Sequence, residues 1–254
     1  MTPDWNAEVY HRVSEPQWNW GLAVLSSLTL EGNETVIDAG CGTGRLTNVL
    51  MERLTSGRGI ALDSSEAMLE VARRELARFD GRIAFLNADL GALDLHNLAD
   101  VVFSTATFHW VKDHAALATG LYRALKPGGR VHAQCGGHGN LAAFLKLANE
   151  VSAQSPFAAH FEGFVYPAHF ATPEATKVHF EAAGFANVEC WLTDAPTPFE
   201  TRDDFSTFVS AVVLRTMLAR LPDALQPAYL EQVIDRAPQP YTLDYVRLEL
   251  RAEK

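Results

Sequence analysis

Positive charge is scarce in this 254-residue sequence: 21 Lys and Arg stand against 31 Asp and Glu, a formal net charge of -10. Proteins that hold a nucleic-acid backbone use a basic face to displace counterions, and no Lys/Arg-rich run supplies one, so a nucleic-acid partner is not expected. Cysteine is scarce as well. Cys41, Cys135 and Cys190 are far apart and lack CxxC spacing, which leaves neither a disulfide framework nor a thiolate metal clamp. The first residues lack the positive start and apolar stretch of a secretory signal, and no apolar run approaches the roughly 20 residues that span a bilayer. A cytoplasmic chain with no membrane partner is the expectation. Repeats and low-complexity segments are missing too, while the 48% hydrophobic content is that of a globular protein with a substantial core.

What is present is an alternation of short apolar runs and helical periodicities. Residues 35–39 form an apolar run closed by the glycine-rich stretch 40–44, and Leu46, Val49, Leu50 and Leu54 then recur at helical spacing, so the order is strand, tight loop, helix. Residues 59–62 make a second strand ending at Asp63, after which Ser64 or Ser65 can cap a helix carrying Met68, Leu69, Val71 and Ala72. Further strands are predicted at 83–87, 101–104 and 130–135, the last after a helix at 115–125 and the turn Lys126-Pro127-Gly128-Gly129. Beyond Gly139 come a helix at 141–153, an aromatic loop at 157–170, a helix at 173–183, a strand at 188–192, a helical run at 202–220 and a final strand at 242–250. An amphipathic helix is expected at 14–28.

Such alternation predicts an α/β fold: a Rossmann-like, doubly wound, mostly parallel sheet with helices on both faces and ligands at the C-terminal ends of the strands. We expect a single domain over 1–254, with a lid segment at 1–30, a core at 31–139, and helical lid insertions with the terminal strands at 140–254.

The motifs fall at those strand ends. Bare glycines before a helix N-terminus offer unpaired N–H groups and a close backbone approach to an anionic ligand group. Here Gly40, Gly42 and Gly44 are followed by Arg45, so the third glycine of the dinucleotide pattern G-x-G-x-x-G is missing. Asp38, on the strand just before the loop, would repel a pyrophosphate and attract an ammonium group. Asp63 ends the second strand where a carboxylate can accept from both ribose hydroxyls, and Asp89 ends the third where it can accept from an adenine amine. Each acid has a plainer alternative, since an Asp at a strand end also caps the following helix.

Through Val36-Ile37-Asp38-Ala39-Gly40-Cys41-Gly42-Thr43-Gly44, Ala61-Leu62-Asp63-Ser64-Ser65, Ala88-Asp89-Leu90 and Leu125-Lys126-Pro127-Gly128-Gly129 the sequence resembles the class I S-adenosylmethionine-dependent methyltransferases, over about residues 30–135. The resemblance implies S-adenosylmethionine as cofactor and S-adenosylhomocysteine as product. It implies that Asp38 and the loop hold the methionine end and Asp63 the ribose, with Ser64 among the cofactor contacts. Met68 would pack near the adenine, Asp89 and Leu90 would meet its edge, and Ser104 would lie beneath the methionine moiety. It also implies a seven-stranded sheet closed by an antiparallel C-terminal hairpin.

His109-Trp110 after the fourth strand, the opening Trp5-Asn6-Ala7-Glu8-Val9-Tyr10 and Phe185 are similar to the trans-aconitate and juvenile-hormone-acid methyltransferase subfamily. That similarity implies a small acceptor, often a carboxylate, under a lid, with Gln17, just before Trp18, as a substrate-binding residue. A carboxylate acceptor needs no base, so His109 would orient the acid as a hydrogen-bond donor and Trp110 would exclude water. A ring hydroxyl or amine acceptor would instead have His109 take the proton. The plainer reading makes both residues packing groups. His132 and His138 flank the fifth strand, and His160 and His169 sit in the aromatic loop without metal-ligand spacing, so no metal is expected. The aromatic loop is either core or an apolar acceptor pocket. A non-catalytic cofactor-binding partner and a nicotinamide oxidoreductase are the competing functions, and a monomer or weak homodimer is expected.

Overall fold

The computed structural model describes residues 15–254. The N-terminal motif Trp5 to Tyr10 lies outside the described residues. In chain order the elements are α1 (Glu15–Ser27), β1 (Thr35–Ala39), α2 (Arg45–Arg53), β2 (Arg58–Asp63), α3 (Glu66–Glu75), β3 (Ile83–Asn87), β4 (Ala99–Thr105), α4 (His114–Ala124), β5 (Leu125–Gly136), α5 (Ala142–Ser152), α6 (Pro173–Ala183), β6 (Ala186–Asp194), β7 (Thr197–Pro198), α7 (Arg202–Phe208), α8 (Arg215–Leu218), α9 (Gln226–Arg236), β8 (Thr242–Leu243) and β9 (Val246–Glu253). They fall into two compact units: a sheet unit of residues 15–138, 168–193 and 247–254, and a helical unit that includes residues 139–167 and 194–246.

The sheet unit holds seven strands in the order β3-β2-β1-β4-β5-β9-β6. The first five are mutually parallel, and β9 runs antiparallel to β5. The order reverses direction at β1 and β4, which makes their C-terminal ends the topological switch point where such sheets bind ligands. Continuous apolar runs suit strands covered on both faces. Val36, Ala61, Val101 and Phe103 pack with α1, α2 and α3 through Leu25, Leu50 and Leu69. Their neighbours Ile37, Leu62 and Val102 point the other way, into a core shared with Leu117, Leu121 and Phe180.

The β5/β9 pair divides its faces differently. Ala133, Cys135, Leu248 and Leu250 join the apolar core. The opposite face carries His132, Gln134, Arg247 and Glu249, paired in register as Gln134 with Glu249 and Gly136 with Arg247. Helix α1 covers this polar ladder: Ser27 Oγ lies 2.9 Å from His132 Nε2, and the Arg247 guanidinium sits 4.5 Å from the centre of the Trp20 ring. His132 is therefore engaged beneath α1, and its burial depresses its pKa to about 4.

Three expectations need correction. The turn at Lys126 to Gly129 does not precede the fifth strand but is looped out within it, since Ala99 pairs with Leu125 and Val101 already with Arg130. The run 202–220 is not one helix: α7 passes into a π-helical turn at Val209–Val213, closed by Leu214 N–H donating to the Val209 carbonyl at 2.7 Å, before α8. Val209, Val212 and Val213 are β-branched and stiff at χ1, which favours such a distortion. Phe205, Phe208, Val209, Val212, Val213 and Met217 are nonetheless all buried, as their spacing predicts. The final strand 242–250 is two strands. Asp244 interrupts it because its carboxylate accepts from the N–H groups of Ala143 (2.7 Å) and Phe144 (3.3 Å) at the start of α5. Residues 242–243 therefore pair with β7, while β9 starts at Val246 and runs on to Glu253.

In the helical unit part of the aromatic loop joins the core through the buried Phe157 and the half-buried Phe161. Phe157 and Phe161 pack on the buried Tyr229 of α9 at 5.2 and 5.5 Å between ring centres. Among the described residues no helix is long and apolar enough to cross a membrane.

Candidate active site

The glycine loop is built by its backbone. Gly40, Gly42 and Gly44 all take positive φ, a region L side chains avoid. At Gly40 sterics add to this: a Cβ would stand 2.1 Å from Thr107 Oγ1. The loop therefore lies directly against the segment after β4, with Thr107 Oγ1 donating to the Gly40 carbonyl at 3.3 Å and to the Thr105 carbonyl at 2.9 Å. Gly40 and Cys41 donate their N–H groups to the Leu62 carbonyl at 2.7 and 2.9 Å. Gly44 opens α2 in the left-handed conformation with no side-chain cap, which leaves the helix N-terminus as a donor surface.

Two carboxylates flank this loop. Asp38 is 3% exposed and accepts from Thr47 Oγ1 at 2.6 Å. Burial pushes its pKa up to about 7, against the pull of the Thr47 bond and with the help of the Asp63 charge. Such a group gains from a cation docking beside it. Asp63 is already oriented: one oxygen accepts from Gly42 N–H and the other from Ser65 N–H, both at 2.9 Å. A carboxylate held in this orientation at a strand end is an acceptor set for hydroxyl donors. Ser104, 1% exposed, donates to the Ala39 carbonyl at 2.6 Å, so its hydroxyl locks β4 to the residue that enters the loop.

The remaining positions separate. Ser65, not Ser64, caps α3 by accepting from Met68 N–H at 3.2 Å, and Ser64 is exposed beside it. Met68 is buried on α3. Asp89 is exposed and caps the short turn that follows it, accepting from Gly91 N–H at 2.8 Å. The Leu90 side chain packs into the core with Leu93 and Leu117, so only its main chain is available to a ligand.

His109, in a helical turn after β4, is 8% exposed. Its Nδ1 accepts from Gly136 N–H at 3.1 Å, and its carbonyl accepts from His169 N–H at 2.7 Å. Burial, the Arg247 charge and His114 hold its pKa well below the usual histidine value. A neutral ring whose Nδ1 is an acceptor carries its proton on Nε2. Half-buried Trp110 and Phe170 flank the imidazole at 5.0 and 5.8 Å. Gln17, on α1, is 9% exposed, and among the described residues its Oε1 has no hydrogen-bond partner. A buried amide oxygen left unsatisfied is costly, which marks it for a ligand donor. Among the described residues no cluster of His, Cys, Asp and Glu is arranged to hold a metal ion.

Three residues of this site escaped the sequence reading. Thr47 and Thr107 are ordinary helix and loop threonines until the fold puts them on Asp38 and Gly40. Arg247 left a usable signal in the alternation Arg247, Glu249, Arg251 along the last strand, since one charged face on a strand inside a sheet needs partners.

A methyltransferase-domain family model matches residues 36–129. A trans-aconitate 2-methyltransferase of Azoarcus sp. (strain BH72) is 30% identical over 94% of this chain and 92% of its own. The chain belongs to the S-adenosylmethionine-dependent methyltransferases. A second trans-aconitate 2-methyltransferase, of Acidovorax sp. (strain JS42), is 28% identical over 94% of this chain and 91% of its own. Among solved structures, a methyltransferase of Bacillus halodurans superposes with a TM-score of 0.62 at 18% identity, over 92% of this chain and 98% of that one. The Haemonchus contortus phosphoethanolamine N-methyltransferase 2, solved with S-adenosylhomocysteine, gives 0.63 at 19% identity over 98% of this chain and 56% of that one. These two structures share the Rossmann-like sheet of the present chain. Its place in the family, shown by the domain match and the curated relatives, makes it an enzyme that transfers a methyl group from S-adenosylmethionine to a small molecule.

Proposed function

We propose that this methyltransferase methylates a carboxylate oxygen of a small organic acid, and that the residues gathered at the C-terminal ends of β1 to β5 form its site. The observation that carries the choice of acceptor is the state of His109. Its Nδ1 lone pair is taken by Gly136 N–H and its other nitrogen holds the proton, so the ring donates and does not deprotonate. A hydroxyl or ammonium acceptor has a proton to lose, whereas a carboxylate has none. The curated relatives named for trans-aconitate point to the same class of acceptor.

When bound, S-adenosylmethionine supplies an electrophilic methyl on a sulfonium. The chain's own work is to hold two partners in line and keep water out. Asp38 receives the ammonium of the methionine end, with the glycine loop as its floor, and Ser104 fixes the Ala39 carbonyl that sets the loop. Asp63 receives the ribose hydroxyls, with Ser64 at its side, while Met68, Asp89 and the Leu90 main chain meet the adenine. His109 Nε2–H and Gln17 orient the acceptor, and Trp110 walls it from water. We take the full chain 1–254 as one methyltransferase domain, acting on a small molecule rather than nucleic acid, as a monomer or weak homodimer.

Transfer from methyl-labelled cofactor to a panel of acids (trans-aconitate among them), phenols and amines tests this. Label released as methanol by mild alkali marks an ester and is the expected outcome. Alkali-stable label on phenols or amines alone would overturn the reading.

A further inference from the structure

An anion must approach a protein of net charge -10, at a site already flanked by Asp38 and Asp63. Recognition of an acid there requires a local positive potential. Among the described residues Arg247, at 2% exposure, is the one Lys or Arg that is buried. It stands at the ligand end of the sheet, because β9 is antiparallel to β5 and Arg247 pairs with Gly136, the residue whose N–H binds His109.

The guanidinium is held in one orientation. Its Nε donates to Gln134 Oε1 at 3.2 Å, and it lies over the Trp20 ring at 4.5 Å. A guanidinium turned by an amide and an aromatic face presents its planar fork in a set direction, the geometry that carboxylate recognition uses. Gln134 in turn donates from Nε2 to Glu249 Oε1 at 2.6 Å. Burial raises the Glu249 pKa, against the pull of the Gln134 bond and of the Arg247 and Arg251 charges. Gln17 lies three residues before Trp20 on α1, so its unsatisfied amide oxygen shares a helix face with the ring that carries the guanidinium. The field of Arg247 also reaches His109, where it helps to keep the imidazole neutral.

We propose that Arg247 is the anion anchor of the acceptor site, the residue whose fixed charge beside His109 selects acceptors bearing an ionised carboxyl. The proposal rests on the carboxylate reading above. It gives Gln134 and Trp20 the role of holding the guanidinium in place.

The test is steady-state kinetics with trans-aconitate, or whichever acid of the panel the wild type esterifies best, on the full-length wild type, Arg247→Gln and Arg247→Lys. Arg247→Gln should raise the acid's KM about tenfold or more, the worth of a charge-assisted hydrogen bond, with kcat within about threefold. Calorimetric affinity for S-adenosylhomocysteine should stay within about twofold. Arg247→Lys keeps the charge without the fork and should fall between. An unchanged KM in a folded Arg247→Gln overturns the proposal, as does a loss of cofactor affinity parallel to the loss of acid, which is the mark of a merely structural arginine. Should Arg247→Gln not fold, Arg247→Lys decides by the same split between KM and cofactor affinity. A wild type that esterifies no acid overturns the carboxylate reading itself, and this one with it, whereas a wild type that esterifies an acid confines any failure to Arg247.

Discussion

Raising the pH from about 6 to about 7.5 should tighten binding of S-adenosylhomocysteine about eightfold, through Asp38 alone. In the ligand-free protein burial holds this carboxyl at a pKa of about 7. A docking ammonium favours the ionised form and pulls the pKa down, so binding below that value must expel a proton. At pH 6, one unit below, the free protein carries about nine-tenths of a proton on Asp38, and at pH 7.5 about a quarter. The corresponding penalties on the dissociation constant are factors of about 11 and about 1.3, whose ratio is the eightfold change. Titration calorimetry at each pH in two buffers of different ionisation enthalpy gives the number of protons directly, as the slope of observed against buffer enthalpy. Asp38→Asn should flatten both the slope and the pH dependence while weakening binding at every pH. Release below about one-tenth of a proton at pH 6, with an affinity that does not change up to pH 7.5, would refute the assignment of Asp38 to the ammonium.

The same carboxyl makes a stability prediction of opposite sign. Its folded pKa of about 7 lies above the ordinary 3.8, so the folded chain holds a proton the unfolded chain has lost, and stability falls as pH rises from about 4 to about 7 and is level beyond. Asp38→Asn, without ligand at about pH 8, should therefore gain up to about 4 kcal/mol in urea unfolding; a loss of stability would contradict the buried-carboxylate argument. Gly40→Ala, which adds a Cβ 2.1 Å from Thr107 Oγ1 at a φ of +85°, should cost about 1–3 kcal/mol and most cofactor affinity, and a variant with native melting and binding would show that the loop has slack. Ser104→Ala removes a buried bond to the Ala39 carbonyl and should cost about 1–2 kcal/mol, read by urea denaturation. For acid acceptors, kcat at saturating cofactor should show no limb from His109 near pH 6.5, since its pKa lies well below that, and His109→Gln should keep more turnover than His109→Ala; a limb that disappears in either variant would restore the base.

The sequence made the cofactor half legible because that half is local. Residues 35–63 run strand, loop, helix, strand without interruption, and Asp38, the glycines and Asp63 are tied by hydrogen bonds whose partners, Thr47 Oγ1 among them, lie in that same stretch. Competition with capping decided what was less legible: Ser65 took the helix cap that Ser64 also offered, and Asp89 turned to Gly91. Misread elements share a long-range cause. Asp244 leaves a strand pattern to cap a helix that begins about 100 residues earlier, and no local periodicity encodes that partner. His109 stood out by its neighbour Trp110, but its tautomer depends on Gly136, 27 residues away.

The place of β9 between β5 and β6 has a consequence for synthesis of the chain. Residues 35–107, which carry the glycine loop, both flanking acids and Thr107, leave the ribosome well before residue 246, and domains generally fold as units during synthesis. A nascent chain can thus shape its cofactor loop while β6 still waits, for β6 joins the sheet through a strand not yet made. Arg247 comes opposite Gly136 only when β9, synthesised more than 100 residues after β5, joins the sheet. The glycine loop is in this sense an early structure, and the charge proposed to anchor the acceptor is a late one.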